Sequence, residues 1–314
     1  MSDLLGVEKS TFMLKLFVYF LLLLLPVPAF CGQVLDISGQ GLDEKKVFHR
    51  IISLYPAHTE NLLSLGCADF LVGISKSDDL PGGIGSKKTF SYRDNPEKFI
   101  AAAPDLVLVR PMIVRAYPQL LDRLQEAGIT VVSLQPRSVD EIYAYWHDLA
   151  SLVGRETSAK KMVADFQAAL LQYDTKNRTR AAEDKPRIYF ESIHSKMKTI
   201  APQSIAATVL RYGGGSNVAA DAIARNSTNI ASYGKEHILS HAATIDIYLA
   251  QKGRMNQVSI EDITEEPGFA SIKAVQQGQV YLIDEKLVSR PTMRLLLGIE
   301  RVREVVELFS KMKE

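Results

Sequence analysis

At 314 residues and 34.9 kDa, the chain has room for two cores at about 150 residues per domain. Hydrophobic residues make up 46% and charged residues 23%, with 19 Gly and 13 Pro, which excludes a disordered or collagen-like chain. Lys and Arg number 37 against 36 Asp and Glu, so no global field points to nucleic acid or to a strongly charged partner.

The N-terminus is the first outlier. Residues 16–25 form an apolar run of ten, closed by Pro26 and Pro28. That is about half of what a membrane-spanning helix needs. The pattern predicts a secretory signal peptide over residues 1–32, with Ala29 and Cys31 as the small residues before the cut. An uncleaved hydrophobic anchor is the competing reading. Asp3 and Glu8 offset Lys9 and Lys15, which makes Met13 a second candidate start, and Phe30 directly before Cys31 argues against a lipid anchor. The remaining cysteine, Cys67, sits in the apolar run 62–68. It reads as a small buried hydrophobe, so the exported chain holds itself together without an internal disulfide.

From Arg50 onward, short apolar runs alternate with helical patterns. Strands are expected at 51–54, 71–74, 104–109 and 129–134, and helices from Pro56 to Cys67, from Pro96 to Ile100, and over 117–127. A polar Gly-Pro-rich loop fills 75–85. Such alternation argues for a parallel sheet with helices on both faces. At Ser138 the period changes: Ser138 and Glu141 have capping-box spacing, and Gly154 offers a stop. Ala159, Met162, Val163, Phe166, Leu170 and Tyr173 then form one stripe, predicting a helix from Thr157 to about Arg180, roughly 35 Å long. The opening plan repeats afterwards, with strands at 187–190, 245–249 and 279–283 and helices at 204–212, 236–242 and 294–313. Glu97 and Asp105 in the first half are echoed by Glu236 and Asp246 in the second. The organisation predicted is an N-terminal α/β lobe over 33–156, an inter-lobe helix over 157–182 and a C-terminal α/β lobe over 183–314.

Several runs resemble one family. They are residues 50–60, Leu65-Gly66, Val72-Gly73, Asn95-Pro96-Glu97, the run from Pro104-Asp105, Gly213-Gly214 with Asn217-Val218-Ala219, and Ser289-Arg290-Pro291. In this order and spacing they resemble the ABC-transporter periplasmic substrate-binding proteins for vitamin B12 and ferric siderophores (the helical-backbone, class III group). The resemblance runs from about Val47 to Phe309. It implies two Rossmann-like lobes joined by a single long backbone helix, with a ligand cleft between them and little lobe closure. It also implies that an iron-siderophore-type chelate or corrinoid is captured and delivered to an ABC permease in the inner membrane. In this family acidic residues on each lobe contact permease arginines, which makes Glu97 and Glu236 the docking pair.

Ligands of open α/β sheets bind beyond the carboxyl ends of strands. The loops there carry Lys76, Ser77, Phe90, Tyr92, Arg93, Arg110, Arg115, Gln135, Arg137, His194, Lys196, Arg254, Asn256 and Arg290, a local excess of cations suited to an anionic ligand. Phe90, Tyr92 and Tyr233 are the candidate aromatic walls. Trp146, the only tryptophan, falls on the predicted helix after Ser138 and reads as core. The loop after Val109 opens on Arg110-Pro111-Met112 and not on aromatic residues, which favours an iron-siderophore-type ligand over cobalamin. His58 and His194 come from different lobes and form a candidate metal pair, whereas His237 and His241 read as surface histidines. The alternative is therefore a binder of a bare metal ion, haem or a metal oxyanion. An exported enzyme is the weaker reading: Gly-x-Ser-x-Gly, Walker and Gly-x-Gly-x-x-Gly signatures are all missing, and Gly213-Gly214-Gly215 does not match the last of these. No cofactor, no nucleic acid and a monomer are expected, in the periplasm.

Overall fold

A computed structural model describes residues 33–43, 45–79, 87–178, 181, 184–224 and 228–312. The predicted signal peptide, and with it Met13 and Cys31, lies outside these residues, as does much of the 75–85 loop. No helix among the described residues is long and apolar enough to cross a membrane.

The first sheet is built from β1 (Ile51–Ser53), β2 (Leu71–Ser75), β3 (Lys88–Phe90), β4 (Leu106–Val109) and β5 (Thr130–Ser133), all parallel, in the order β3-β2-β1-β4-β5. β4 reads as a continuous apolar run and β1 as one closed by Ser53 because helices cover both faces, and every residue in them is buried. Chain direction across the sheet reverses between β1 and β4, so the topological switch point lies between their carboxyl ends. Around the sheet pack α1 (Pro56–Ser64), α2 (Pro96–Ile100), α3 (Pro111–Ala116), α4 (Pro118–Glu126) and α5 (Val139–Val153). Each of the first four has Pro in its first turn, where the missing N–H costs nothing.

Helix α5 starts at Ser138, whose hydroxyl accepts from Glu141 N–H, and stops at Gly154 in the left-handed conformation (φ 62°). The predicted reciprocal bond is replaced: the Glu141 carboxylate takes the N–H of Arg137 at 2.8 Å. The long helix α6 covers Glu156–Asn177, roughly 33 Å at 1.5 Å per residue, and ends a few residues before the predicted Arg180. Its Phe166 meets Trp146 of α5 edge-on at 5.4 Å, which puts the tryptophan in the core. Farther along, Tyr173 donates to Glu300 at 2.7 Å and Asn177 to the Tyr212 carbonyl at 2.8 Å, both in the second half of the chain. One stripe on a single helix thus serves both lobes.

The second sheet contains β6 (Arg187–Ile193), β7 (Lys198–Ile200), β8 (Ser216–Asn217), β9 (Ile230–Ser232), β10 (Ile247–Lys252) and β11 (Val280–Asp284), in the order β11-β10-β6-β7-β9, with β8 also against β6. β6, β8, β10 and β11 are parallel, while β7, antiparallel to both β6 and β9, and β9 beyond it are additions that the sequence did not announce. The packed helices are α7 (Ile205–Tyr212), α8 (Lys235–Ser240), α9 (Ile260–Thr264), α10 (Lys273–Gln276), α11 (Glu285–Ser289) and α12 (Leu295–Lys311). A Cβ on Gly213 would lie 2.3 Å from Val302, so the glycine lets the end of α7 close onto α12. The internal echo is physical. Asp105 accepts the N–H groups of His49 and Arg50 at 2.8 and 3.0 Å, and Asp246 accepts that of Arg187 at 2.9 Å, each tying the first strand of its lobe to a neighbour.

Candidate functional site

A cavity of about 1100 Å³ lies between the two sheets. Its walls are the carboxyl ends of parallel strands: Tyr55 after β1, Lys76 and Ser77 after β2, Arg110 after β4, Ser192 on β6, Gln251 to Met255 at the end of β10, and Leu282 to Lys286 at the end of β11. Ser289 and Arg290 complete the second-lobe wall.

Tyr55 and Arg110 flank the switch point, and the Arg110 guanidinium stands 4.6 Å over the Tyr55 ring. The buried Nε of Arg110 has no hydrogen-bond partner. Tyr55 has its hydroxyl pKa raised, chiefly by burial, against the opposing pull of Arg110 and Arg290. Opposite, Arg254 donates to the Ser77 hydroxyl, joining the two walls. Arg290 bridges Glu60 of α1 at 3.0 Å and Asp79 at 2.9 Å, and Lys286 also pairs with Asp79. Burial opposes the Arg290 charge, but hydrogen bonds and attraction from these two carboxylates hold its pKa above the ordinary value.

Of the residues expected at the site, Lys76, Ser77, Tyr92, Arg110, Gln135, Arg254 and Arg290 line this cavity. Phe90 does not: it is fully buried, its ring 4.9 Å from Phe99 and so close to Gly73 that any Cβ there would collide with it. Tyr233 packs in the second-lobe core with its hydroxyl on Asp221 at 3.1 Å, its pKa pushed up to about 12 by burial. Asn256 is buried behind the cavity wall, and His194 is bonded to Glu191 and not aimed into the cavity. Arg93 reaches Tyr117 and Arg137 pairs with Glu141 on exposed surface; Arg115 and Lys196 are exposed outside the lining.

His58 is completely buried. Its Nε2–H donates to the Val109 carbonyl at 3.0 Å and its Nδ1 accepts from Tyr145 at 2.7 Å, so both ring nitrogens are occupied. Burial drives its pKa down to about 4. A joint metal site with His194 therefore lacks a free nitrogen on the His58 side. Among the described residues no group of three or more His, Cys, Asp or Glu is arranged to hold a metal ion. Sequence reasoning missed Tyr55, Glu60, Asp79, Lys252 and Lys286. Position at the carboxyl ends of β1 and β10 flags Tyr55 and Lys252, whereas Glu60 gives no signal because it reads as a surface position of α1.

Two α/β lobes on a helical spine, with a charged cavity between their strand ends, define the class of two-lobed proteins that hold a ligand between lobes. The chain belongs to the periplasmic binding protein family, whose model matches residues 51–287. It is 27% identical over 274 residues to an uncharacterized ABC transporter substrate-binding lipoprotein of Bacillus subtilis, YvrC, covering 86% of this chain and 84% of the relative. It is 26% identical over 269 residues to the vitamin B12-binding protein of Vibrio cholerae, covering 83% and 90%. Among solved structures, a possible iron-binding periplasmic solute-binding protein of Staphylococcus epidermidis superposes with a TM-score of 0.71 at 28% identity, over 83% of this chain and 99% of that one.

Proposed function

We propose that the protein is an exported solute-binding protein that captures an iron-siderophore-type metal chelate or a corrinoid and hands it to an ABC permease. In this reading residues 33–156 and 183–314 are the lobes, 157–182 the spine, and Glu97 and Glu236 the permease contacts. The cavity carries the proposal: about 1100 Å³ at the carboxyl ends of both sheets, lined by six Lys and Arg against three Asp and Glu. That space accepts a ligand larger than most metabolites, and the excess of cations suits an anionic chelate. Glu97 and Glu236 are both exposed in the first turns of α2 and α8, at matching places in the two lobes. The chain acts by binding and release, not by turnover, and is extracytoplasmic like its named relatives.

Titration of the purified mature protein with a ferric hydroxamate siderophore, a ferric catecholate siderophore, cyanocobalamin, haemin, molybdate and zinc tests the reading, followed by tyrosine fluorescence and calorimetry. Saturable binding of a chelate or corrinoid at one site per chain is expected. Response to zinc or molybdate alone, or chemical conversion of a ligand, would overturn it.

A further inference from the structure

Behind the second-lobe wall of the cavity lies a carboxylate that a ligand cannot reach. Glu191 of β6 is completely buried. Its Oε2 accepts from Nδ1–H of His194 at 2.8 Å and from the Tyr248 hydroxyl, and its Oε1 accepts from Asn256 Nδ2 at 3.3 Å. Asn256 also donates to the Gln251 carbonyl at 2.9 Å, while its Oδ1 accepts the N–H of His194 at 2.9 Å. Gly253 and Asn256 exchange backbone N–H···O bonds of 3.0 and 3.2 Å, closing a tight turn directly after β10. At the tip of that turn stand Arg254, bonded to Ser77 across the cavity, and Met255, 59% exposed.

Burying a carboxylate costs several kcal/mol unless every lone pair is answered. Here the donors are His194, Tyr248 and Asn256, and Asn256 belongs to the turn itself. Apart from its own backbone pair, the Asn256 bond to the Gln251 carbonyl, the Arg254 bond to Ser77 and a 3.5 Å reach of Met255 N–H to Glu285, the turn has no apolar anchor before Val258, because Met255 is exposed. We propose that Glu191 and His194 are positioning residues: they fix the turn 253–256, and through it the place of Arg254 on the cavity wall, without touching ligand. The proposal rests on the reading of this cavity as the ligand site only for what Arg254 meets; the fixing of the turn stands apart from it.

The surroundings of His194 give the unit a pH signature. Glu191 faces one ring nitrogen and Glu266 the other at 3.5 Å, with Lys235 of α8 paired to Glu266. Asp262 of α9 adds negative charge, Lys252 of β10 lies beside Asp262, Tyr189 and Tyr248 flank Glu191, and Phe269 presents its ring edge. The Glu191 hydrogen bond outweighs burial and raises the His194 pKa. A raised histidine contributes stability that is complete below its unfolded pKa and lost as pH rises through the folded one.

Amide hydrogen exchange of the full mature chain without ligand, expressed as protection factors at pH 5.5, 7 and 9, tests the proposal. In Glu191→Gln, protection at 253–256 is expected to fall about tenfold or more, while β4 in the other lobe and α12 keep theirs. In the wild type, protection of the turn should drop between the low and high pH values, and His194→Gln should flatten that profile. An unchanged turn in both variants, or an equal loss across the whole second lobe, overturns the proposal. If Glu191→Gln does not fold, the His194→Gln profile decides: a wild-type slope that survives the substitution refutes the positioning role. Because no ligand is present, this failure is distinct from failure of the transport reading, which the ligand titration reports.

Discussion

Glu60 offers the sharpest test of how the two halves are joined. Its carboxylate is 7% exposed between Arg290 and Arg294, themselves 12% and 22% exposed. Arg294 reaches it with two N–H groups, one at 2.8 Å to Oε2, and Arg290 with one at 3.0 Å. Each close pair is worth about 5 kcal/mol of attraction at an effective dielectric of about 20, most of it offset by desolvation of three charges. Substitution Glu60→Gln keeps the shape and removes the charge, so the desolvation of Arg294 stays uncompensated while Arg290 retains Asp79. The lower end of the usual cost of breaking a buried pair is the expected loss, about 3 kcal/mol, or a Tm fall on the order of 5–10 °C in a chain of this size. Urea unfolding followed by far-UV circular dichroism measures it. Asp79→Asn is the comparison: Asp79 is 37% exposed, and its loss should cost under about 1 kcal/mol. If Glu60→Gln lies within 1 kcal/mol of the wild type, or matches Asp79→Asn, the buried triad does not hold the lobes as argued.

Three further outcomes follow from the same structure. His58, with a pKa lowered from 6.5 to about 4, loses stability as pH falls through that window, by about 3 kcal/mol in full; the stability advantage of the wild type over His58→Gln should shrink between pH 7.5 and 4.5, and a constant difference by urea titration would count against it. Arg110→Ala should weaken an anionic ligand about tenfold or more by calorimetry with little change in Tm, whereas Arg290→Ala should lower Tm as well because Glu60 loses a partner. Joint charge reversal of Glu97 and Glu236 should abolish transport in a reconstituted system and leave ligand affinity unchanged; a large loss of affinity would place them elsewhere.

Much of the architecture was legible in the residues. The runs at 51–54, 71–74 and 106–109 are apolar save for Ser53 because a sheet covered on both faces needs them so, and the stripe of Ala159, Met162, Phe166, Leu170 and Tyr173 reports the buried face of α6. Two residues, Ser138 and Gly154, locate the ends of α5. β7 and β9 were not legible, since three-residue strands such as Lys198–Ile200 owe their conformation to pairing with distant neighbours and not to local pattern. Position after a strand led to Lys76, Arg110 and Arg254, which line the cavity. It misplaced Phe90, the last residue of β3, because facing the interior depends on the small neighbour Gly73 in the adjacent strand. His194 and Asn256 were flagged for the right loops, but their side chains turn inward to Glu191, a partner that no spacing rule connects to them.

The charge of the cavity is the quantity that sequence overstates. Counted along the chain, its cations argue for a polyanionic ligand. In three dimensions many are already answered: Lys76 by Asp94, Lys286 by Asp79, and Arg290 by Glu60 and Asp79. Arg110 has no such ion pair among the described residues, and its Nε is buried without an acceptor. One anionic group delivered to Arg110 therefore meets an unsatisfied donor, and Arg254 is bonded only to the Ser77 hydroxyl, while an anionic group at Arg290 or Lys286 must compete with Asp79. Asp79 thus acts as an internal competitor that selects by charge. Replacing it by Asn should strengthen a ferric catecholate carrying several negative charges by about tenfold, and leave a neutral ferric hydroxamate or cyanocobalamin within twofold. Equal effects on all three ligands in calorimetric titration would show that Asp79 acts on the shape of the wall and not on its charge.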